Sequence, residues 1–313
     1  MFLTTKQLLG LAQEHNFAVG AFNVNNMEIV QGIVSAAKEL DAPIILQISK
    51  GARDYANPQY LKALIQVAEN ETSLPIAMHL DHGPSVELCK KAVDEGYTSV
   101  MYDGSHEDYT QNLENTTEVV SYAHQKGVSV EAELGKLIGE QFDAGEGGNV
   151  AQEASYTDPE QAKEFVEKTG CDSLAVSIGT SHGAYKFKGD PHLDFERLKT
   201  IRSLVSIPLV LHAASSVLPE YVEMCNMFGG SIANSQGVPE EHIKQAVAIG
   251  VQKVNIDTDL RLAMTGAIRK SMGENPGEFD PRKYLGAGRD AVCEAVKRKI
   301  ILLGSDGKGH LYR

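Results

Sequence analysis

The sequence is short of cysteine. Cys89, Cys171, Cys225 and Cys293 are widely separated, and none belongs to a CxxC pair. This spacing predicts neither a structural zinc ribbon nor a disulfide framework. We expect four reduced thiols, most of them buried.

Long apolar runs are also missing. The apolar stretches have the length of strands, and none reaches the roughly 18 residues that span a bilayer. Residues 1–17 have the pattern of a short amphipathic helix, with leucines among polar residues and without the apolar centre of an export signal. We therefore expect a cytoplasmic protein with no membrane partner.

Basic residues are outnumbered by acidic ones, at 29 Lys+Arg against 42 Asp+Glu. This balance argues against nucleic acid as a partner and disfavours anionic substrates at long range. Any phosphate site must therefore be locally basic. Hydrophobic residues make up 42% of the chain, which is enough for a large core.

Strand-like apolar runs alternate with helical patterns along the chain. The runs lie at 19–24, 43–49, 75–81, 98–103, 128–134, 172–179, 207–212 and 252–258. This alternation predicts an α/β fold with a parallel sheet and right-handed crossovers, and eight such units close into a (β/α)8 TIM barrel. We expect one barrel domain over residues 1–313, because barrels of this length are common.

Two segments are longer than the repeating pattern requires. Residues 135–157 form a glycine-rich, acidic stretch, which is typical of a mobile lid. From about residue 259 the sequence predicts a C-terminal helical extension: a helix at 260–273, a loop containing DPRKY, and a final helix through IILLG. This extension is a candidate for packing on a neighbouring subunit.

Three histidines follow three different predicted strands: His82, His182 and His212. Active sites of barrels form at the carboxyl ends of the strands. Three imidazoles with an open fourth position suit a catalytic zinc or cobalt ion. The alternative interpretation of each histidine, taken singly, is a hydrogen-bonded loop residue that binds no metal. His106 is the one rival ligand, and His79 is expected to point into the strand packing.

A phosphate site is also predicted at this rim. Small and hydroxylated residues after strands six, seven and eight offer backbone N–H groups and hydroxyls to an oxyanion, although a solvated loop has a similar composition. The candidates are Gly183, Ala213, Ser215, Asp257 and Thr258, with Lys186 and Arg261 close by in sequence.

Several motifs along the chain resemble class II fructose-bisphosphate aldolases in content and order. They are GAFNVNN, LDHG, VEAELG, IGTSHGAYKFKG, PLVLH, VNIDTDLR and FDPRKYLG, which together cover nearly the whole chain. The resemblance implies a lyase of glycolysis and gluconeogenesis. It would reversibly cleave fructose 1,6-bisphosphate into dihydroxyacetone phosphate and glyceraldehyde 3-phosphate through a metal-stabilised enediolate. A Schiff-base lysine is then unnecessary.

The resemblance also implies residue roles. His82, His182 and His212 would hold Zn²⁺, or Co²⁺ in its place, and Asp81 would be the catalytic acid/base. Asp103 and Glu133 would form an alternate metal position. A monovalent cation, Na⁺ or K⁺, would lie near the phosphate, and the enzyme would be a homodimer or homotetramer. The substrate contacts would fall at Asn23, Ser49, Gly183, Lys186, Ala213, Ser215, Asn255, Asp257, Thr258, Arg261 and Arg282.

The sequence departs from the family pattern in two places. Ala213 stands where the family has glycine, so a left-handed backbone conformation there would be strained. In the lid, Glu140-Gln141 replaces an acidic pair, which leaves Glu140, Asp143 and Glu146 as alternatives for its proton-transfer role. Tagatose-1,6-bisphosphate aldolase is the nearest alternative function. A metal-dependent hydrolase and a non-catalytic sugar-phosphate binder are the others.

Overall fold

Eight parallel strands form a closed barrel in the computed structural model, which describes residues 2–135, 156–180, 193–233 and 235–313. Each strand pairs with its neighbour in sequence, and the first pairs with the last. All eight predicted strands are present, and the predicted (β/α)8 barrel is confirmed. The strands are β1 (Val19–Asn23), β2 (Ile44–Ser49), β3 (Ile76–Gly83), β4 (Ser99–Tyr102), β5 (Ser129–Leu134), β6 (Ser173–Val176), β7 (Leu209–Leu211) and β8 (Val251–Ile256).

Helices surround the barrel, and their starts follow ordinary capping rules. Asn26, Ser85 and Asp108 each accept a backbone N–H from the first turn of the helix that follows them. The helices are α1 (Thr5–Glu14), α2 (Met27–Glu39), α3 (Lys50–Ala56), α4 (Pro58–Asn70), α5 (Val86–Asp94), α6 (Tyr109–His124), α7 (Pro159–Thr169), α8 (Phe195–Leu204), α9 (Pro219–Met227), α10 (Glu240–Ile249), α11 (Thr258–Glu274) and α12 (Pro281–Leu303), with a short 3-10 helix at Lys308–Tyr312. Within the described ranges, no helix has the length and apolar character needed to cross a membrane.

The alternation of side chains along each strand gives the barrel an outer and an inner face. Outer residues such as Leu46, Met78 and Val100 belong to the main core between strands and helices. At the amino ends of β1, β2 and β3 the inner residues are apolar and pack against α1, whereas Ser99 of β4 and Ser129 of β5 hydrogen-bond to Thr5 of α1. Helix α1 thus closes this end of the barrel. This second cluster contains Leu8, Leu9, Ala12, Phe17, Val19, Ala21, Ile45 and Ala77.

Further along the strands the inner residues become polar or charged while staying buried. Gln47, His79, Glu131 and Lys253 have no solvent exposure. Barrel interiors are usually filled by branched apolar side chains. This polar layer lies directly below the ends of the strands, where the candidate site forms.

The C-terminal extension packs on the barrel of its own chain. α12 lies along α2 and α11. The DPRKY segment, predicted as a loop, instead begins α12, because Asp280 caps the helix and Pro281 occupies its first turn. All four cysteines are buried, which confirms that expectation. Residues 136–155 of the predicted lid lie outside the described residues.

Candidate metal and substrate site

The end of β3 turns sharply at His82, whose φ is +44°. The pairing of β3 with β4 shifts register between Leu80 and Gly83. A Cβ at Gly83 would lie 2.5 Å from the Met101 carbonyl oxygen and 2.6 Å from Cys89 Sγ. Glycine is therefore required after His82, and the turn places the His82 ring at the mouth of the barrel.

His82 and His212 form a pair of facing imidazoles. His212 directly follows β7, and its Nδ1 lies 3.1 Å from His82 Nε2. The second nitrogen of each ring meets a buried carboxylate: His82 Nδ1 lies 2.6 Å from Asp103 Oδ2, and His212 Nε2 lies 2.7 Å from Glu131 Oε1. Carboxylates in such positions hold the ring proton of metal-binding histidines and leave the other nitrogen available as a ligand.

Glu133 completes a group of three possible ligands. Its Oε2 lies 3.5 Å from His212 Nδ1 and 3.9 Å from His82 Nδ1. Ligand atoms of His82, Glu133 and His212 all lie within 4.8 Å of one another. Asp103, predicted as a second metal carboxylate, contacts the His82 nitrogen that does not face His212, and its other oxygen accepts a hydrogen bond from Ser105 Oγ at 2.7 Å.

The charge around the imidazole pair is strongly negative. Burial acts to lower the pKa of His82, but Asp81 and Asp103 outweigh it and raise that pKa to about 10. Among the described residues, the carboxylates here are Asp81, Asp103, Glu131 and Glu133, with Lys253 as the buried lysine among them. This excess of negative charge and the nitrogen and oxygen donors fit a divalent cation.

Asp81 is fixed beside the pair by two amides. Its Oδ2 accepts a hydrogen bond from Asn23 Nδ2 at 2.8 Å, and its Oδ1 accepts one from Asn255 Nδ2 at 3.2 Å. Gln47 in turn donates to Asn23 Oδ1 at 2.5 Å. Asn23 and Asn255, both predicted substrate contacts, thus donate hydrogen bonds to Asp81 in the structure.

The carboxylate of Asp81 is buried, yet it favours the ionised form. Burial acts to raise its pKa, but the charges of His82 and Lys253 outweigh this and hold the pKa below its ordinary value. Asp81 Oδ1 lies 4.0 Å from His82 Nε2. Asp81 is therefore an ionised hydrogen-bond acceptor next to the possible ligands.

The loop after β7, where a phosphate site is predicted, is hydrogen-bonded to a buried carboxylate. Ala213 and Val217 have φ values of +53° and +51°. The carboxylate of Asp259 accepts the backbone N–H groups of Ser216 at 2.9 Å and Val217 at 2.7 Å. Lys299 of α12 lies 2.9 Å from that carboxylate and is itself buried. A buried ion pair therefore stabilises the strained loop.

The start of α11 joins this loop. Ser215 Oγ accepts the backbone N–H of Asp257 at 3.2 Å, and Thr258 begins the helix. Asp257 also pairs with Arg261 at 2.8 Å, so Arg261 is held at the same helix end. Backbone N–H groups at a helix N-terminus attract anions. The structure thus groups Ser215, Asp257, Thr258 and Arg261, as the sequence predicts.

Other predicted residues have partners outside this group. Ser49 ends β2, and its Oγ caps α3 by accepting the N–H of Ala52 at 3.2 Å. The Arg282 side chain is 88% exposed and pairs with Asp280. His106 is exposed, and His79 is buried in the barrel with its Nδ1 2.8 Å from Ser99 Oγ. His182, Gly183 and Lys186 lie outside the described residues, so their roles stay predictions.

Sequence reasoning missed the buried lysines that support the site. Lys253 interrupts the apolar β8 sequence VQKVNI, and Lys299 precedes the apolar end of α12. A single lysine in an otherwise buried strand was the available signal, because buried lysines are almost always paired. Nothing in the sequence identified Glu131 and Asp259 as their partners.

Comparisons with known proteins identify the family of this chain. The sequence model of the family described as class-II fructose-bisphosphate aldolase matches residues 3–308. The fructose-bisphosphate aldolase of Giardia intestinalis is 50% identical over 313 residues, covering 99% of this chain and 95% of the relative. That of Thermus caldophilus is 49% identical over 309 residues, covering 98% of this chain and 100% of the relative. The crystal structure of the YdjI aldolase from Escherichia coli K12 matches with a TM-score of 0.78 and 33% identity, covering 99% of this chain and 100% of that one.

Proposed function

The chain belongs to the class II fructose-bisphosphate aldolase family, whose members are metal-dependent lyases, and we propose that it reversibly cleaves fructose 1,6-bisphosphate. The products would be dihydroxyacetone phosphate and glyceraldehyde 3-phosphate. The observation that carries the proposal is the pair of facing imidazoles with the ionised, amide-held Asp81 beside it. This arrangement combines a cation site with a base, which cleavage of a carbon–carbon bond next to a hydroxyl requires.

The proposed metal is Zn²⁺, with Co²⁺ as a functional substitute, because imidazole nitrogens suit both ions. His82 and His212 would hold it, together with His182, and Glu133 would serve the alternate position with Asp103 close by. When bound, the cation supplies a Lewis acid that stabilises the negative charge developing on the three-carbon fragment.

Asp81 performs the proton transfer at the C4 hydroxyl. In cleavage its carboxylate accepts that proton while the C3–C4 bond breaks and the C4 oxygen becomes the aldehyde oxygen. In condensation it returns the proton. Asn23 and Asn255 hold the carboxylate in place, and Asn255 Oδ1 is buried without a hydrogen-bond partner among the described residues, which leaves an acceptor for a substrate hydroxyl. An acidic residue of the 135–157 segment, Glu140, Asp143 or Glu146, would protonate the three-carbon fragment.

Phosphate binding is assigned to the loop after β7 and the start of α11. The proposed contacts there are the Ser215 hydroxyl, the backbone and hydroxyl of Thr258, and Ala213 and Asp257, of which Asp257 donates its N–H to Ser215 Oγ. Gly183 and Lys186 would join them, with Na⁺ or K⁺ balancing the charge of the phosphate. Ser49 and Arg261 are further proposed contacts to the substrate. These groups supply the local positive potential that the acidic chain otherwise lacks.

We further propose a cytoplasmic homodimer or homotetramer in which Arg282 reaches the second phosphate in a neighbouring subunit's site. The exposure of Arg282 on its own chain supports this proposal. Its guanidinium matches a phosphate group in geometry and charge.

A coupled triose phosphate assay with fructose and tagatose bisphosphates, run with and without a chelator, tests the proposed function. Chelator-sensitive cleavage of fructose 1,6-bisphosphate is expected. Preferential cleavage of the tagatose substrate would instead identify the other aldolase. Tight ligand binding without triose phosphate would indicate a non-catalytic binder, and chelator-sensitive hydrolysis without aldol cleavage would indicate a hydrolase.

A further inference from the structure

A fully buried ion pair lies below the facing imidazoles. Lys253 of β8 and Glu131 of β5 have no solvent exposure, and Lys253 Nζ lies 2.9 Å from one oxygen of Glu131 and 3.0 Å from the other. Taking two charges out of water is costly, and a well-packed apolar pair is often at least as stabilising. The stability of the barrel alone therefore does not explain why this pair is present.

Glu131 also holds the ring of His212. Its Oε1 lies 2.7 Å from His212 Nε2. An ionised carboxylate can only accept hydrogen bonds, so Nε2 must carry the ring proton. A neutral imidazole has one ring proton, which leaves the lone pair of Nδ1 facing His82 Nε2. The opposite tautomer would direct a proton at the position where a cation is proposed.

The ion pair is itself anchored to the closed end of the barrel. Lys253 Nζ lies 3.5 Å from His79 Nε2, and His79 Nδ1 lies 2.8 Å from Ser99 Oγ. Ser99 Oγ lies 2.8 Å from Thr5 Oγ1 of α1. Ammonium groups only donate, so His79 accepts at Nε2 and donates from Nδ1 to Ser99. A continuous polar chain thus holds Lys253 below Glu131.

We propose that Glu131, oriented by Lys253, is a positioning residue that fixes the Nε2–H tautomer of His212 and so presents Nδ1 to the divalent cation. This inference rests on the metal-dependent function proposed above. Lys253 Nζ donates a hydrogen bond to Glu131 Oε1 and lies within ion-pair distance of Oε2, which orients the carboxylate towards His212. Neither residue touches the substrate, and Lys253 forms no covalent intermediate.

Two double variants distinguish the effect of the hydrogen-bond acceptor at position 131 from the effect of the buried charges. Lys253→Met/Glu131→Gln and Lys253→Met/Glu131→Met both remove the ion pair without leaving a lone buried charge, but only glutamine keeps an oxygen for His212 Nε2–H. Loss of an outer hydrogen-bond partner of a ligand costs roughly 10–100-fold in metal affinity. The Glu131→Met form should lose that much affinity for Co²⁺ and change its visible absorption bands. The Glu131→Gln form should bind Co²⁺ more tightly than the Glu131→Met form, because its amide oxygen can still accept the His212 Nε2–H. Equal Co²⁺ affinities and spectra in the two folded variants would overturn the proposal.

A second measurement does not depend on how the variants fold. Metal-free wild-type protein labelled with ¹⁵N-histidine should show the Nε2–H tautomer for His212, whose signals are assigned by comparison with a His212→Gln sample. The Nδ1–H tautomer in wild type would overturn the proposal even if either double variant failed to fold. Wild-type protein that binds no Co²⁺ would refute the metal-dependent function instead, so the two failures are distinguishable.

Discussion

Replacing Asp81 by asparagine keeps the shape of the side chain while removing its charge and one acceptor. In the structure both carboxylate oxygens accept amide hydrogen bonds, one from Asn23 and one from Asn255. Asparagine has one carbonyl oxygen, so its own amide must face one of these donors. A buried donor left without an acceptor costs about 1–3 kcal/mol, and we expect the free energy of unfolding to fall by that amount.

The expected effect on catalysis is larger than the effect on stability. A positioned general base contributes about 10²–10⁴ in rate, which corresponds to roughly 3–5 kcal/mol of transition-state free energy. Turnover of Asp81→Asn should fall by this factor. The metal should stay bound, because the possible ligands are His82, Glu133 and His212 and Asp81 Oδ1 lies 4.0 Å from the nearest imidazole nitrogen.

Three measurements on one preparation decide the role of Asp81: the metal content, the affinity for dihydroxyacetone phosphate, and the rate of cleavage. We expect one equivalent of metal, near-normal affinity and a greatly reduced rate. If Asp81 only orients the loop or His82, metal content and ligand affinity will fall together with the rate. A metal-free variant, or one with near-wild-type turnover, would refute its role as the acid/base.

Three further predictions concern the phosphate loop, the subunit interface and the reaction chemistry. Ala213 has a φ of +53°, so Ala213→Gly should relieve backbone strain and raise the free energy of unfolding, measured in urea titrations, by about 1 kcal/mol. A lower free energy of unfolding would show that Ala213 is not strained. Mixing Arg282→Ala with Asp81→Ala subunits should restore activity at mixed interfaces. No recovery in demonstrably mixed oligomers would argue against contact in trans. Borohydride with substrate should not inactivate the enzyme, whereas a trapped lysine adduct would indicate Schiff-base catalysis.

The fold and part of the site follow from local patterns in the sequence. Apolar runs of strand length, separated by amphipathic helices, specify a parallel barrel, and the barrel brings the ends of distant strands together. For this reason His82, His212, Glu133 and Asp81 meet as the sequence predicts. The prediction of a loop at DPRKY was wrong, although Asp280 followed by Pro281 is a helix-start signal that the sequence contains.

Other features depend on pairings that no local pattern contains. Glu131 and Lys253 belong to strands on different sides of the barrel, and Asp259 meets Lys299 only because α12 packs along α11. Asn255 bonds to Asp81 because its strand closes the barrel beside β1, where Asn23 lies. Register and closure are properties of the assembled sheet. The hydrogen bonds from Asn23 and Asn255 to Asp81 were therefore not predictable from the sequence of any one strand.

Metal dependence of aldol cleavage is the most direct test of this account. Enzyme dialysed against a chelator and verified as metal-free should not cleave fructose 1,6-bisphosphate, and one equivalent of Zn²⁺ or Co²⁺ per chain should restore cleavage, because the imidazole ligands suit these ions. Full cleavage activity in the verified metal-free sample would contradict the account.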